Sequence, residues 1–450
     1  MATKRSVAAL LLQRRCMGYI MRYGSAGDGK SIGKPSDVSR YIEKVAKESS
    51  HEERNQQRQR CAELVELMCS NINQYTAMEV RAVAHGMAII FGNDVKSKWL
   101  QSIANFSLRG ANVMPVYLLY PLVNSLGKMA KPENGLPFDK LLQVCIKRIS
   151  EANSIDLATM AQTAVLLKKK LGIREVMDQV ANAAIEQPIL CEISATNAVL
   201  ILYAFAQTGI KHGQLCQELT KVMTAMRPDD FQIHLIPLAL YALARLGIKD
   251  RQVMETMTTY ALKVTDQMGP ENVSGTVCAL ARLKFNHPRL LTEMATRTKQ
   301  LMPSIGVREM SNILWGFAKL RYDDTAFVDD MIDRCVQYSD IDNMSFAQMF
   351  EAIRCYHAVH KIEVIRQLLQ RYIAVMQQCS TQIVTQVAWC FTSLGCNDHG
   401  IISKSLEELK LRNRNKVEQR FVEMLLESLK SKELLSEETL RHYIAELTAW

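Results

Sequence analysis

The amino-acid sequence predicts an all-α protein, an α-solenoid of about nine stacked helical hairpins, on three observations. A short Ala-rich motif recurs at a period of 36–42 residues, and the apolar positions inside each copy follow helical spacing. The composition also lacks the aromatic, Gly and Pro content of a sandwich or barrel: aromatics are 7% of 450 residues, with 20 Gly and 11 Pro. Hydrophobic residues at 48% supply a large core, with 22% charged residues left for the surface. The longest apolar stretch, Val116 to Val123, falls far short of the roughly 18–20 residues that a membrane span needs, so no membrane partner is expected.

Taken in chain order, residues 1–30 carry Lys4, Arg5, Arg14, Arg15, Arg22 and Lys30 against the single acid Asp28. More than half of the net charge of +9 therefore lies in this segment. Its Arg-rich, acid-poor, helix-compatible pattern reads as a mitochondrial transit peptide, which places the protein in the mitochondrial matrix. Residues 31–70 read as a polar linker leading into N-terminal capping helices. Residues 71–400 hold the repeat. Leu240-Tyr-Ala-Leu-Ala-Arg-Leu-Gly247 is echoed by Leu202 to Gly209, Val277 to Lys284 and Leu314 to Arg321. The small residue of each copy, Ala204, Ala242, Ala279 and Gly316, continues to Ala352 and Cys390 and back to Ala164, Leu122 and Gly86. Each copy has a helix, a Gly or basic turn and a second amphipathic segment, which is a hairpin that buries its apolar face only by stacking on its neighbours. Pro132, Pro188, Pro228, Pro270 and Pro303 are expected to separate one hairpin from the next. Residues 401–450, with nine basic and nine acidic side chains, read as C-terminal capping helices.

At 100° per residue, one side of each first helix is apolar: Ile201, Leu202 and Phe205; Ala239, Leu240, Leu243 and Leu246; Ile313, Leu314, Phe317 and Leu320. These are core positions. The opposite side aligns residue types in columns. One place before the small residue stand Tyr203, Tyr241, Trp315 and Trp389; three places after it stand Arg245, Arg282 and Lys319; four places before it stand Asn312, Gln348 and Gln386. Stacked helices lie roughly 8–10 Å apart, so equivalent residues form a ladder able to follow a polymer. Cations suit phosphates, aromatic rings suit unstacked bases and amides suit base edges, which makes single-stranded RNA the expected partner. Lys168, Lys169 and Lys170, in the turn of the Ala164 hairpin, form a further candidate RNA contact, and Lys410, Arg412, Arg414, Lys416 and Arg420 form another basic cluster.

Catalytic chemistry finds little support. Gly24 to Ser31 matches the pattern of a phosphate-binding loop, but no buried strand precedes it and Pro35 follows. His357 and His360 lack further ligands at zinc spacing, so no metal is expected. No nucleophile–base set and no dinucleotide loop is present, and the expectation is a non-enzyme without a cofactor. The twelve cysteines contain no C-x-x-C pair and mostly sit in apolar helical runs, which reads as reduced, buried thiols.

The repeated Leu-Tyr-Ala-Leu-Ala-Arg-Leu-Gly247 and Ile313-Leu-Trp-Gly-Phe-Ala-Lys-Leu320 hairpins, behind a transit-like N-terminus, resemble the octotricopeptide and heptatricopeptide repeat proteins of organelles over roughly residues 70–400. The resemblance implies RNA binding in an organelle, in processing, stabilisation, editing or ribosome assembly. Many members end in a small mixed α/β domain, for which 401–450 is too short and too helical. Within this class the chain looks like the guide-RNA-associated proteins of kinetoplastid mitochondrial RNA-editing complexes, which implies guide RNA and the protein subunits of a ribonucleoprotein as partners, in a homo- or hetero-oligomer. The alternative is a HEAT-like scaffold that holds protein subunits without touching RNA, with Asp323, Asp324, Asp329, Asp330 and Asp333 as a docking edge.

Overall fold

Twenty-three α-helices joined by short turns and 3-10 segments make up the described part of the chain, and no β-strand occurs among those residues. The computed structural model describes residues 34–168, 172–395, 400–412 and 416–448. The proposed transit segment and the Gly24 to Ser31 motif lie outside the described residues, as do Lys169 and Lys170. The chain divides into two compact units, 1–106 and 107–450.

In the first unit, α1 (Pro35–Glu48) packs on α3 (Ala77–Ile90), with α2 (His51–Ser70) between them in sequence and α4 (Ser97–Gly110) beginning before the unit ends. Part of the stretch expected as a linker is therefore helix α1, because Val38, Ile42, Val45 and Ala46 supply a buried apolar stripe. Gly86 of α3 is the place of closest approach: a Cβ there would lie 2.5 Å from Cγ2 of Ile42.

The second unit repeats one hairpin. Its pairs are α5 (Val116–Met129) with α6 (Phe138–Lys147), α7 (Ser154–Leu167) with α8 (Arg174–Ile185), and, after the short α9 (Gln187–Glu192), α10 (Ala195–Thr208) with α11 (Gly213–Ala225). Then follow α12 (Leu235–Leu246) with α13 (Arg251–Val264), α14 (Pro270–Leu283) with α15 (Pro288–Leu301), and α16 (Val307–Leu320) with α17 (Thr325–Cys335). The series closes with α18 (Asn343–Tyr356) and α19 (Ile362–Val375), α20 (Thr381–Leu394) and α21 (Ile401–Lys410), and α22 (Lys416–Lys432) and α23 (Glu437–Thr448). Each first helix packs on the first helix of the next pair, so α5, α7, α10, α12, α14, α16, α18, α20 and α22 form one layer and their partners the other. This is the predicted all-α solenoid, and residues 401–448 extend it by continuing both layers.

Every small residue of the motif within this unit falls on a first-layer helix, and all the predicted core positions are buried, from Ile201, Leu202 and Phe205 to Ile313, Leu314, Phe317 and Leu320. Gly316 shows why a small residue recurs. A Cβ there would come 2.6 Å from Cγ1 of Val277 and 3.1 Å from its backbone, so the neighbouring helix leaves no room. The two longest periods have local causes. The step from Leu122 to Ala164 contains the 3-10 turn Pro132–Asn134 inside a hairpin, and the next contains α9 between hairpins. Pro132 thus departs from its expected place between hairpins, whereas Pro188, Pro228 and Pro303 lie between pairs and Pro270 opens α14.

Helix starts follow local chemistry. Ser194, Asp250, Asp324 and Ser380 accept the amide of the third residue of their helices, and His212 and His287 do the same through Nδ1 at 3.2 Å. The ten cysteines among the described residues are free thiols, including the buried Cys145 and Cys335, whose pKa burial pushes up to about 12.

Candidate nucleic-acid interface

The columns read from the sequence meet on the first-layer helices, and the structure sorts them into three stretches. In the first, Tyr203 and Tyr241 pack ring to ring at 5.4 Å, and the guanidinium of Arg282 lies 5.9 Å above the Tyr241 ring. These three line a groove of about 410 Å³, together with His234, Cys278 and Asn312. Arg245 stands exposed on the adjacent turn, with no ion-pair partner among the described residues. The cation of one repeat thus covers the aromatic ring of the preceding one, an arrangement worth about 0.5–1 kcal/mol at an exposed site.

In the second stretch the amides hold one another. Gln348 Nε2 donates to Oδ1 of Asn312 at 2.7 Å and its Oε1 accepts from Ser311 at 2.9 Å, while Cys278 Sγ lies 3.4 Å from the Asn312 carbonyl. Gln348 is only 9% exposed. The structure places Asn312 and Gln348 in a hydrogen-bond ladder that ties α14, α16 and α18 together, and both polar ends of Gln348 are occupied by protein. Helical spacing shows which way an amide points; the partner facing it belongs to another repeat, some 36 residues away.

The third stretch centres on a residue that the sequence pattern did not single out. Glu351 occupies the place that Tyr241 and Trp315 hold in their repeats, and it is 3% exposed. Its carboxylate accepts from Lys319, from Arg354 at 2.8 and 3.1 Å and from Cys390 Sγ at 3.2 Å. Burial alone would raise its pKa, but the hydrogen bonds from Arg354, Lys319 and Cys390 outweigh burial and hold the carboxyl down at about 2. Lys319 also lies 6.0 Å from the Trp315 ring, and Arg354 lies 4.5 Å from the Trp389 ring. Arg354 was missed because it stands one place earlier in its repeat than Arg245, Arg282 and Lys319 do in theirs. Beyond it, exposed Trp389 and half-buried Gln386 line an apolar groove of about 230 Å³ with Phe421, Met424 and Leu425.

The competing clusters fare differently. Lys168 is exposed, and its Nζ donates to the Gln207 carbonyl at 2.7 Å. Arg412 donates to the carbonyls of Cys379 at 2.6 Å and Met376 at 3.2 Å and pairs with Glu408 at 2.8 Å. It belongs to a set of structural ties, with Arg148 on Ala111 and Met114, Arg297 on Met268, and Arg371 on Val336 and Ser339. In each case a second-layer side chain caps carbonyls of the preceding repeat. Lys410 is likewise paired, with Glu407 at 3.1 Å and with Glu446. Arg414 lies outside the described residues, and Arg420 is exposed.

Most of the acidic run is also taken up internally. Asp324 caps α17 and meets Lys299 at 3.2 Å, Asp333 meets Lys361 at 2.7 Å, and Asp329 lies 3.0 Å from His360 Nε2. Among the described residues no group of His, Cys, Asp and Glu is placed to hold a metal ion, and no helix is long and apolar enough to cross a membrane.

Comparison with known proteins adds one family. The family described as RNA-editing substrate-binding complex 6 protein matches residues 119–350 and, in a second register, 190–417. Two overlapping matches are what an internally repetitive chain produces. No curated protein matches the chain. Among solved structures, a circular tandem repeat protein with novel repeat topology and enhanced subunit contact surfaces is similar at 12% identity, over 92% of this chain and 94% of the other. Its TM-score is 0.19.

Proposed function

The chain belongs to the RNA-editing substrate-binding complex 6 protein family, and we propose that it is a non-catalytic subunit of a mitochondrial RNA-editing complex that holds single-stranded RNA, guide RNA included, along its first-layer helices. The observation that carries the reading is the run of grooves and cation–aromatic contacts along one layer. Tyr203, Tyr241 and Arg282 begin it, Trp315, Lys319 and Arg354 continue it, and Trp389 ends it. A polymer with alternating phosphates and bases matches such a surface: the cations take phosphates and exposed ring edges take bases. The ladder of Asn312 and Gln348 keeps the helices in register, and Asn312 and Gln386 are amides that line grooves. Lys168 extends the basic surface towards the N-terminal end of the unit.

The test is a titration of labelled single-stranded RNA against salt. Replacing Arg245, Arg282 and Lys319 together by Ala should weaken binding to every sequence, since phosphate contacts carry no sequence information. The slope of log K against log salt should fall by about 0.7 for each of Arg245 and Arg282, and by less for Lys319, whose charge Glu351 already balances. Trp389→Ala should weaken binding with little change in slope, by about 1–3 kcal/mol if a base stacks there. A folded triple variant that binds RNA with unchanged affinity and slope would refute the reading. The HEAT-like scaffold would then take its place, with the exposed side chains of the apolar groove, Trp389 and Met424, as the stronger docking feature.

A further inference from the structure

The turns that follow the first-layer helices carry an unexplained regularity. Helices α10, α12 and α20 end on Gly209, Gly247 and Gly395 in the left-handed conformation, at φ 75°, 75° and 70°. Glycine is the expected residue there because it has no Cβ to clash. The three helices in between keep the same turn without glycine. Lys284, Arg321 and His357 close α14, α16 and α18 at φ 55°, 56° and 49°. The backbone bonds correspond: Phe285 N reaches the Leu280 carbonyl at 3.0 Å, Tyr322 N that of Phe317 at 3.0 Å, and Ala358 N that of Ile353 at 3.1 Å, as Ile248 N reaches that of Leu243 at 2.9 Å. Three successive repeats therefore place Lys, Arg and His where the backbone favours glycine or, second to it, Asn.

Stability does not account for the choice. The last turns of α14, α16 and α18 already hold Arg282, Lys319 and Arg354, which offset the carbonyl end of each helix. A second basic group at the same end adds strain and, for Lys284 and Arg321, like-charge repulsion. None of Lys284, Arg321 and His357 has a side-chain hydrogen bond or ion pair among the described residues, and all three are exposed. In the glycine turns of α10 and α12 a basic residue returns two places later, as exposed Lys211 and Lys249. Five consecutive turns thus present one basic residue each, although its place within the turn moves. The turns are tied in sequence: Asn286 Nδ2 donates to the Leu320 carbonyl at 3.1 Å, and the Tyr356 hydroxyl donates to the Tyr322 carbonyl at 3.3 Å. Between the last two lies an open groove of about 700 Å³ lined by Lys319, Arg321, Arg354 and His357, with Asp323 as its carboxylate.

We infer that this rim, Lys211, Lys249, Lys284, Arg321 and His357, is a second phosphodiester-binding line, running beside the aromatic and cationic face and gripping the backbone of the single strand whose bases meet that face. The inference rests on the RNA-holding reading above and adds to it the edge at which the backbone lies. Side chains that leave a strained turn for open solvent gain their reason from an anion outside the protein, and a ladder of them at one per repeat fits a polyanion.

The experiment replaces Lys284, Arg321 and His357 together by Gly in the full chain and measures melting temperature and binding of a labelled single-stranded oligouridylate across salt concentrations. Relief of strain should leave the melting temperature equal to or above that of the original chain. Binding should weaken, and the salt slope should fall by about 0.7 for each of Lys284 and Arg321. A parallel set with Asn at the three places, which tolerates the left-handed turn and is neutral, should lose binding in the same way. If both sets bind with unchanged affinity and slope while the Arg245, Arg282 and Lys319 variant loses binding, the rim is overturned and the RNA-holding reading stands. If the original chain does not bind the oligonucleotide at all, both fall. Should either set melt well below the original chain, the basic residues serve the turns themselves and the inference fails.

Discussion

Glu351 stands where other repeats carry Tyr241 or Trp315, and the exchange changes how the neighbouring cations are held. An aromatic ring attracts a cation weakly; a buried carboxylate fixes two of them, Lys319 from the preceding repeat and Arg354 from its own helix. Those cations in turn approach Trp315 and Trp389, so one acid sets the geometry of two aromatic sites. Replacing Glu351 by Gln should destabilise the protein by about 1.5–3 kcal/mol, the range for a hydrogen bond to a charged group. Its pH dependence has a definite sign. The carboxyl is held at about 2 against an ordinary 4.5, so its contribution is complete above about 4.5 and disappears as pH falls towards 2. The difference in melting temperature between the original chain and Glu351→Gln should therefore shrink across that window; a difference that stays constant from pH 6 to pH 2 would show that the ion pairs contribute nothing.

Helices of the first layer approach closely because small residues face their neighbours, and this sets the cost of change at the element scale. At Gly316 a methyl group would gain about 1 kcal/mol of helix propensity. It would also meet Cγ1 of Val277 at 2.6 Å and backbone at 3.1 Å, and Val277 is fully buried, with nowhere to move. Overpacking of this kind costs about 1–3 kcal/mol, so Gly316→Ala should lower stability in chemical denaturation by up to about 2 kcal/mol. A variant more stable than the original would mean that α14 and α16 slide apart freely. The second layer is secured differently, by polar ties such as Arg148, Arg297, Arg371 and Arg412 on carbonyls of the preceding repeat.

For the whole molecule, nearest-neighbour stacking governs tolerance to deletion. Removing 416–450 strips one face each of α20 and α21 and leaves the interfaces of the earlier repeats as they were. Removing 230–267 instead brings α10 against α14, whose Gly275 is shaped to Pro237 of the missing helix at 2.8 Å from its would-be Cβ. The internal deletion should lower the denaturation midpoint far more than the terminal one, and equal losses would contradict a nearest-neighbour array.

The repeat, its period, the all-α class and the buried side of each first helix are legible in the sequence, because these follow from the 3.6-residue spacing and the recurring small residue. Tyr203, Tyr241, Arg282, Lys319, Trp315 and Trp389 were legible as columns for the same reason. Which column members face each other is set by the stacking of the repeats. Whether Gln348 meets Asn312, whether Lys319 is balanced by Glu351, and whether Arg412 caps Met376 and Cys379 depend on residues that stand 32 to 36 positions apart in sequence and come within hydrogen-bond distance through stacking. The left-handed turns at Lys284, Arg321 and His357 were hidden because a basic residue after a helix reads as ordinary compensation of its carbonyl end. The backbone angle, which the Gly209 and Gly247 turns share, is what marks them as costly.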